Sequence, residues 1–271
     1  VLNTDTSVQN HPGNAQTDSW SGEHSLIFAH VDFVYPDGEE AVLKDISFSA
    51  KSGETVAFIG STGSGKSSLI QLIPRFYDRA SGNIYIDGQK IEDLDINALR
   101  SKIGFVPQKA HLFSGTIEEN IRFGKPDATM DEIIHAAKIA QAYDFIMEKP
   151  HQFQEQIVEG ATNVSGGQKQ RLSIARALIR KPEIYIYDDS FSALDFKTDA
   201  RLRKALKPEI KNAIVFLVAQ RVSTILDADK IVVLDEGKIA GIGTHRELLA
   251  SCPIYYEIAA SQLSKEELTY A

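Results

Sequence analysis

A chain of 271 residues with 43% hydrophobic content is long enough for one large α/β domain, or two small ones, with a full apolar core. Its formal net charge of −8, without a dense Lys/Arg stripe, argues against nucleic acid as a partner, and its one cysteine, Cys252, rules out an intrachain disulfide or a cysteine-built metal site and fits a reducing compartment. The longest purely apolar run, Ala213 to Ala219, falls far short of the roughly 20 residues of a membrane helix, and no signal peptide opens the chain, so on its own it reads as soluble and intracellular.

Residues 1–24 are rich in Asn, Thr, Ser, Gln, Asp and Gly and read as a linker or disordered arm, with Trp20 the one side chain able to dock. From Leu26, strand-like runs alternate with turns. The runs are Leu26–Phe33, Val42–Phe48, Thr55–Ile59 and Asn83–Ile86, and the turn signals are Pro36-Asp37-Gly38, Ser52-Gly53 and Asp87-Gly88. Tyr35 follows the first run. An aromatic there either stacks on a purine face or caps the edge of a sheet.

The run Thr55–Ile59 leads directly into Gly60-Ser61-Thr62-Gly63-Ser64-Gly65-Lys66-Ser67-Ser68, and Leu69, Ile70, Leu72 and Ile73 follow at helical spacing. Strand, glycine-rich loop and helix together are the context that makes G-x-x-x-x-G-K-[ST] a phosphate-binding loop. Gly60, Gly63 and Gly65 allow backbone conformations closed to other residues, so successive N–H groups converge on one point. The helix start adds its own unpaired N–H groups and positive end. Lys66 supplies a full charge for the β- and γ-phosphates, and the Ser67 hydroxyl is a Mg²⁺ ligand. A nucleoside triphosphate is therefore the expected substrate.

Ile103–Gln108 reads as a buried strand that places Gln108 at its carboxyl end, where open α/β sheets bind ligands. Its amide can ligate a metal or water and sense a γ-phosphate. A helical insertion follows, over about 109–170. Within it Thr116-Ile117-Glu118-Glu119 and Thr129-Met130-Asp131-Glu132 match capping boxes, each opening a helix. Ser165-Gly166-Gly167-Gln168 opens another helix, with Leu172, Ala175, Leu178 and Ile179 on its apolar face. Ser165 caps it, and the glycines leave its start bare for an anion.

Ile184–Asp189 is a buried strand ending in two carboxylates. In a phosphate-loop protein Asp188 holds Mg²⁺ through water, opposite Lys66 and Ser67, and Asp189 is placed to polarise the attacking water. Ser192–Asp195 forms a turn with a carboxylate. Then come a strand at Ala213–Ala219, Gln220, a helix around Ser223–Leu226 and strands at Lys230–Leu234 and Lys238–Ile242. A capping box at Thr244–Glu247 begins the C-terminal helices and makes His245 a first-turn helix residue rather than a catalyst.

Taken in this order, the phosphate loop, Gln108, Ser165–Gln168, Asp188 and Ser192–Asp195 resemble the ATP-binding cassette (ABC) ATPase domain, from about Leu26 to Leu263. The resemblance implies a P-loop NTPase core with a mainly parallel sheet, an antiparallel β subdomain and a helical subdomain. That domain would fill 25–265, between the arm and a tail at 266–271. Tyr35 matches the family's adenine-stacking aromatic. Leu112–Ile117 and Glu159 match segments of the exporter type. By the same likeness, ATP and Mg²⁺ are the ligands, with Ser67, Gln108 and Asp188 serving the metal. Two domains pair head to tail, so that Ser165, Gly166, Gly167 and Gln168 complete the partner's site and Asp195 serves communication between them. The implied partners are a second nucleotide-binding domain and transmembrane domains, with the chain on the cytoplasmic face of the membrane.

Two positions depart from the pattern. Where the family carries a glutamate as catalytic base, this chain has Asp189, and where it carries a switch histidine it has Gln220. Aspartate is one methylene shorter, and glutamine carries neither a proton nor a positive charge. The double departure resembles one subunit of a heterodimeric exporter, whose own site binds ATP and hydrolyses it poorly. A homodimer that still turns over is the alternative.

Overall fold

β-Branched and aromatic residues dominate the runs Thr55–Gly60, Ile184–Asp188 and Ile214–Val218, and short capped segments lie between the strands. The computed structural model describes residues 8–10, 24–264 and 268. Most of the expected arm, Trp20 included, and the tail 266–271 apart from Leu268 lie outside the described residues. Asn10 accepts the Ile96 N–H at 2.8 Å and donates to Asp95 Oδ2 at 2.6 Å.

The chain begins with β1 (Ser25–Phe33), β2 (Leu43–Lys51), β3 (Thr55–Gly60), α1 (Lys66–Leu72), β4 (Ser81–Ile86), β5 (Gln89–Lys90), α2 (Ile96–Ser101) and β6 (Ile103–Val106). The helical insertion holds β7 (Gly115–Thr116), α3 (Ile117–Arg122), α4 (Met130–Ile139), α5 (Tyr143–Met147), β8 (Gln156–Ile157) and the start of α6 (Gly166–Leu178). The last part comprises β9 (Ile184–Asp188), α7 (Phe196–Glu209), β10 (Ile214–Val218), β11 (Lys230–Asp235), β12 (Lys238–Gly243), α8 (His245–Ser251) and α9 (Pro253–Ala260).

A six-stranded sheet of order β12-β11-β3-β10-β9-β6 forms the centre, parallel except for β12. Its strands are covered on both faces, as parallel sheets require, and every residue of β9 and β10 is buried. Val56, Phe58, Ile186, Phe216 and Val232 face the antiparallel sheet β2-β1-β4-β5 and α1. Ala57, Ile59, Tyr187, Val215 and Leu217 face the helical layer. This is the mixed α/β architecture expected from the sequence: parallel core, antiparallel sheet and helical insertion.

Three expected capping boxes form, at Thr116, Thr129 and Thr244, because each needs only residues three apart. Ser165 and Gln168 make a fourth. Some elements differ from the sequence reading. The sixth strand stops at Val106, where Pro107 brings no N–H to a ladder. The helix expected around 223–226 is a single 3₁₀ turn, Val222–Thr224. Beyond the Ser192–Asp195 turn the chain forms α7, which the sequence reading passes over; Asp195 caps it by accepting the Thr198 N–H at 3.0 Å.

The two sheets are joined through aromatic contacts. Phe216 stacks on Phe58 with ring centroids 6.0 Å apart and meets Phe48 edge-on at 6.3 Å. Phe216→Ala should therefore destabilise the domain by about 3–5 kcal/mol, read as a fall in the denaturant midpoint with little change in slope.

Candidate nucleotide-binding site

The central strand β3 runs out at Gly60, and the backbone from there to α1 is set by three glycines with positive φ: 154° at Gly60, 82° at Gly63 and 98° at Gly65. Space matters as much as dihedral angle. A β-carbon on Gly60 would lie 2.0 Å from the Leu234 carbonyl oxygen of β11, and one on Gly65 would lie 2.6 Å from Leu43 Cδ2. The loop can thus tuck under β11 and β2 only without side chains at these points, and α1 then starts at Lys66.

Lys66 is buried, and its ammonium donates to Gly60 O (2.9 Å), Ser61 O (2.6 Å) and Ser64 Oγ (3.1 Å). Burial lowers its pKa, while the charges of Asp189 and Asp188 oppose that shift. Ser67 Oγ donates to Asp188 Oδ1 at 2.9 Å, so the loop and the end of β9 already meet.

Both strand-end carboxylates are buried, and burial raises both pKa values above the ordinary carboxylate range. For Asp188 the Ser67 hydrogen bond opposes the shift and the neighbouring Asp189 adds to it. For Asp189, hydrogen bonds from Ser192 and Gln108 oppose it, as do the charges of Arg221 and Lys66. Asp189 sits at φ 46°, in the left-handed region that Asp tolerates better than most residues. Its Oδ2 accepts from two amides, Gln220 Nε2 at 2.7 Å and Gln108 Nε2 at 3.2 Å. The ends of three strands thereby converge on one carboxylate oxygen.

These groups line a cavity of about 870 Å³, bounded by Gly60–Gly63, Gly65–Ser68, Gln108, Asp188, Asp189 and Gln220. The sequence reading missed its far wall: Asp235, and from α9 and the segment after it Glu257, Ile258, Ser261 and Gln262. Gln262 fixes that wall by donating to Gln220 O at 2.9 Å and accepting the Val222 N–H at 2.8 Å. The signal was slight, a single glutamine at the end of an apolar helix.

Other candidate residues lie elsewhere. Tyr35 does not line the cavity; its ring lies edge-on to Phe33 and Tyr77 and its hydroxyl bonds Ser68 Oγ at 2.8 Å. Ser165, Gly166, Gly167 and Gln168 are also outside it, at the start of α6, where a β-carbon on Gly167 would come 3.3 Å from Ala193 O. Asp195 caps α7, Glu159 belongs to a 3₁₀ turn, and His245 is buried with Nδ1 2.7 Å from Tyr255 OH.

The donors fit a magnesium nucleotide. Ser67, Asp188 and Gln108 offer hard oxygen ligands beside a cationic loop, and among the described residues no group of three or more His, Cys, Asp or Glu could hold a metal alone. Mg²⁺ is ordinarily bound by one or two carboxylates together with substrate phosphates and water, which is what this arrangement provides for.

Comparison with known proteins agrees with that chemistry. A family model described as "ABC transporter" matches residues 43–192. The chain is 47% identical over 241 residues to "Uncharacterized ABC transporter ATP-binding protein YfiB" of Bacillus subtilis (strain 168), covering 89% of this chain and 42% of that protein. It is 45% identical over 262 residues to a "Putative multidrug export ATP-binding/permease protein" of Staphylococcus aureus (strain NCTC 8325 / PS 47), covering 97% of this chain and 45% of that one. Among solved structures, a bacterial Atm1-family ABC exporter with ATP bound superposes with a TM-score of 0.91 at 36% identity, over 95% of this chain and 45% of that chain. The chain spans less than half the length of the curated relatives it matches.

The raised carboxyl pKa values have a consequence for stability. A carboxyl group that binds its proton more tightly folded than unfolded makes stability fall as pH rises from the ordinary carboxylate value through the raised one, and stability stays lower above it. Nucleotide-free Asp188→Asn should therefore melt at a higher temperature than the parent at pH 7, and the difference should shrink as the pH is lowered through that window. Thermal melts from about pH 3, below the ordinary Asp value, up to about pH 7 would check this.

Proposed function

The chain belongs to the ABC transporter family, and we propose that it is the nucleotide-binding domain of an exporter, with its own ATP site slow in hydrolysis. The observation that carries this reading is Asp189 Oδ2 held by two amides, Gln220 at 2.7 Å and Gln108 at 3.2 Å, in a cavity with an intact phosphate loop. ATP would lie with its β- and γ-phosphates on the loop N–H groups and Lys66, and Ser67, Asp188 and Gln108 would hold Mg²⁺. The ion supplies neutralisation of charge on the β- and γ-phosphates. Tyr35, anchored through Ser68 beside the loop, would take the purine face.

Chemistry then rests on this chain's own groups. Asp189 is placed to accept a proton from an attacking water, and it is one methylene shorter than a glutamate. Gln220 hydrogen-bonds the base, but its amide, unlike a histidine, cannot carry a proton away. A misplacement of about 1 Å can cost roughly a hundredfold in rate. Binding would be retained and turnover lost. The start of α6, bare at Gly166 and Gly167 and outside the lining of this chain's own cavity, supports the reading that Ser165–Gln168 complete the site of a second nucleotide-binding domain, with Asp195 at the junction.

Under this reading the chain acts on the cytoplasmic face of a membrane, with transmembrane domains and a heterodimeric partner that holds the competent site. The 45% identity to a protein named for multidrug export and the superposition on an Atm1-family exporter support the exporter assignment. Mg-ATP turnover and ATP binding should be measured for this chain and for Asp189→Glu/Gln220→His, at high concentration where pairing is favoured. Comparable ATP binding with turnover at least tenfold faster in the double variant is the expected result. Equal turnover would favour the active homodimer instead. Lys66→Ala should abolish nucleotide binding in both backgrounds, read by equilibrium titration.

A further inference from the structure

β10 ends at Val218, and beyond Ala219, whose N–H donates to Phe58 O at 3.1 Å, the chain leaves the sheet. The next residue is Gln220, whose amide holds Asp189 Oδ2 at 2.7 Å. Outside a ladder a backbone has no regular partners to fix it, and here one side chain takes their place. Gln262 Nε2 donates to Gln220 O at 2.9 Å, and Gln262 Oε1 accepts the Val222 N–H at 2.8 Å. The two bonds grip the chain on either side of Arg221.

This grip needs one donor and one acceptor at the tip of a single side chain. A glutamate would set an acceptor against the Gln220 carbonyl, and an asparagine is one methylene shorter. The base of the grip is firm. Ala259 O accepts the Gln262 and Leu263 N–H groups at 3.0 and 2.8 Å, which closes α9. Ala259 is fully buried and Leu263 packs against the core, so the backbone at Gln262 is tied down on both sides.

Gln262 itself is exposed and lines the nucleotide cavity. Its bonds replace bonds to water, so they contribute little to stability. What they set is the place of the backbone at 220–222, and through the Gln220 amide that of the Asp189 carboxylate.

We propose that Gln262 is a positioning residue for ATP hydrolysis, holding the chain at Gln220 so that the Gln220 amide keeps the Asp189 carboxylate in place for the attacking water. The inference rests on the reading of Asp189 as the proton acceptor. It makes the segment after α9 part of the hydrolytic apparatus as well as a wall of the cavity.

The test is single-turnover hydrolysis of γ-labelled Mg-ATP by the full 271-residue chain in excess, beside ATP affinity by equilibrium titration. Gln262→Ala should hydrolyse about threefold more slowly or worse, with affinity within about twofold of the parent, because small misplacements act on rate. It should melt within about 4 °C of the parent, which separates a misplaced loop from a damaged fold. Gln262→Glu should be slowed at least as much. Gln220→Ala should also be slow, and adding Gln262→Ala to it should change the rate by less than about 1.5-fold, since both act through one amide. Unchanged hydrolysis in Gln262→Ala overturns the proposal. So does a larger fall in melting temperature, affinity that weakens in step with rate, or slowing by the two substitutions that multiplies. A parent without measurable hydrolysis overturns it too and leaves the slow-site reading standing, whereas that reading fails on the separate comparison with Asp189→Glu/Gln220→His.

Discussion

The approach of Gly60 to the Leu234 carbonyl is the constraint on which the site rests. The central strand of a parallel sheet must turn at its carboxyl end beneath a neighbouring strand, and only hydrogen fits there, since a β-carbon would meet that oxygen at 2.0 Å. The turn throws the loop N–H groups and the start of α1 to the open end of the sheet, where crevices outside strand ends take ligands. β3 has β10 on one side and β11 on the other, so the loop is flanked by the strands whose ends carry Gln220 and Asp235. A less central strand would bring fewer groups to the same point.

Stability and chemistry pull against each other in this cavity. Burial pushes the Lys66 pKa down and those of Asp188 and Asp189 up, so each is held charged at a cost. Mutual proximity offsets part of that cost, as does the Ser67 hydrogen bond to Asp188. Two like charges side by side remain unfavourable without a cation, and that is also the reason such a pair suits a metal and a polyanion. The left-handed conformation at Asp189 is a further local strain at the same place.

The helical insertion and α7 give the domain its second face. Capping boxes at Thr116, Thr129 and Ser165 open the helices that cover one side of the sheet, and α6 starts with two residues that present no side chains. That start lies away from the loop of the same chain, next to the turn that leads into Asp195. In the proposed function this separation is the geometry of a site shared between two domains.

What the sequence determined by itself was chiefly what short spacing governs, although the Asp195-capped α7 escaped it. The phosphate loop was legible because three glycines, a lysine and a serine act within nine residues of backbone, and the capping boxes because their hydrogen bonds span three. The strands β3, β9, β10 and β11 were legible because burial on both faces leaves an apolar run. Departures at Asp189 and Gln220 could also be read against the family pattern. Only the tertiary structure decided that Gln108, Asp189 and Gln220 meet at one oxygen, since their strands are 81 and 31 residues apart in the chain and neighbours only in the sheet. It placed Tyr35 against Phe33 and Tyr77 and brought Gln262 to the wall of the cavity. Such contacts join residues with no common period in the sequence, and they arise only when separate elements pack.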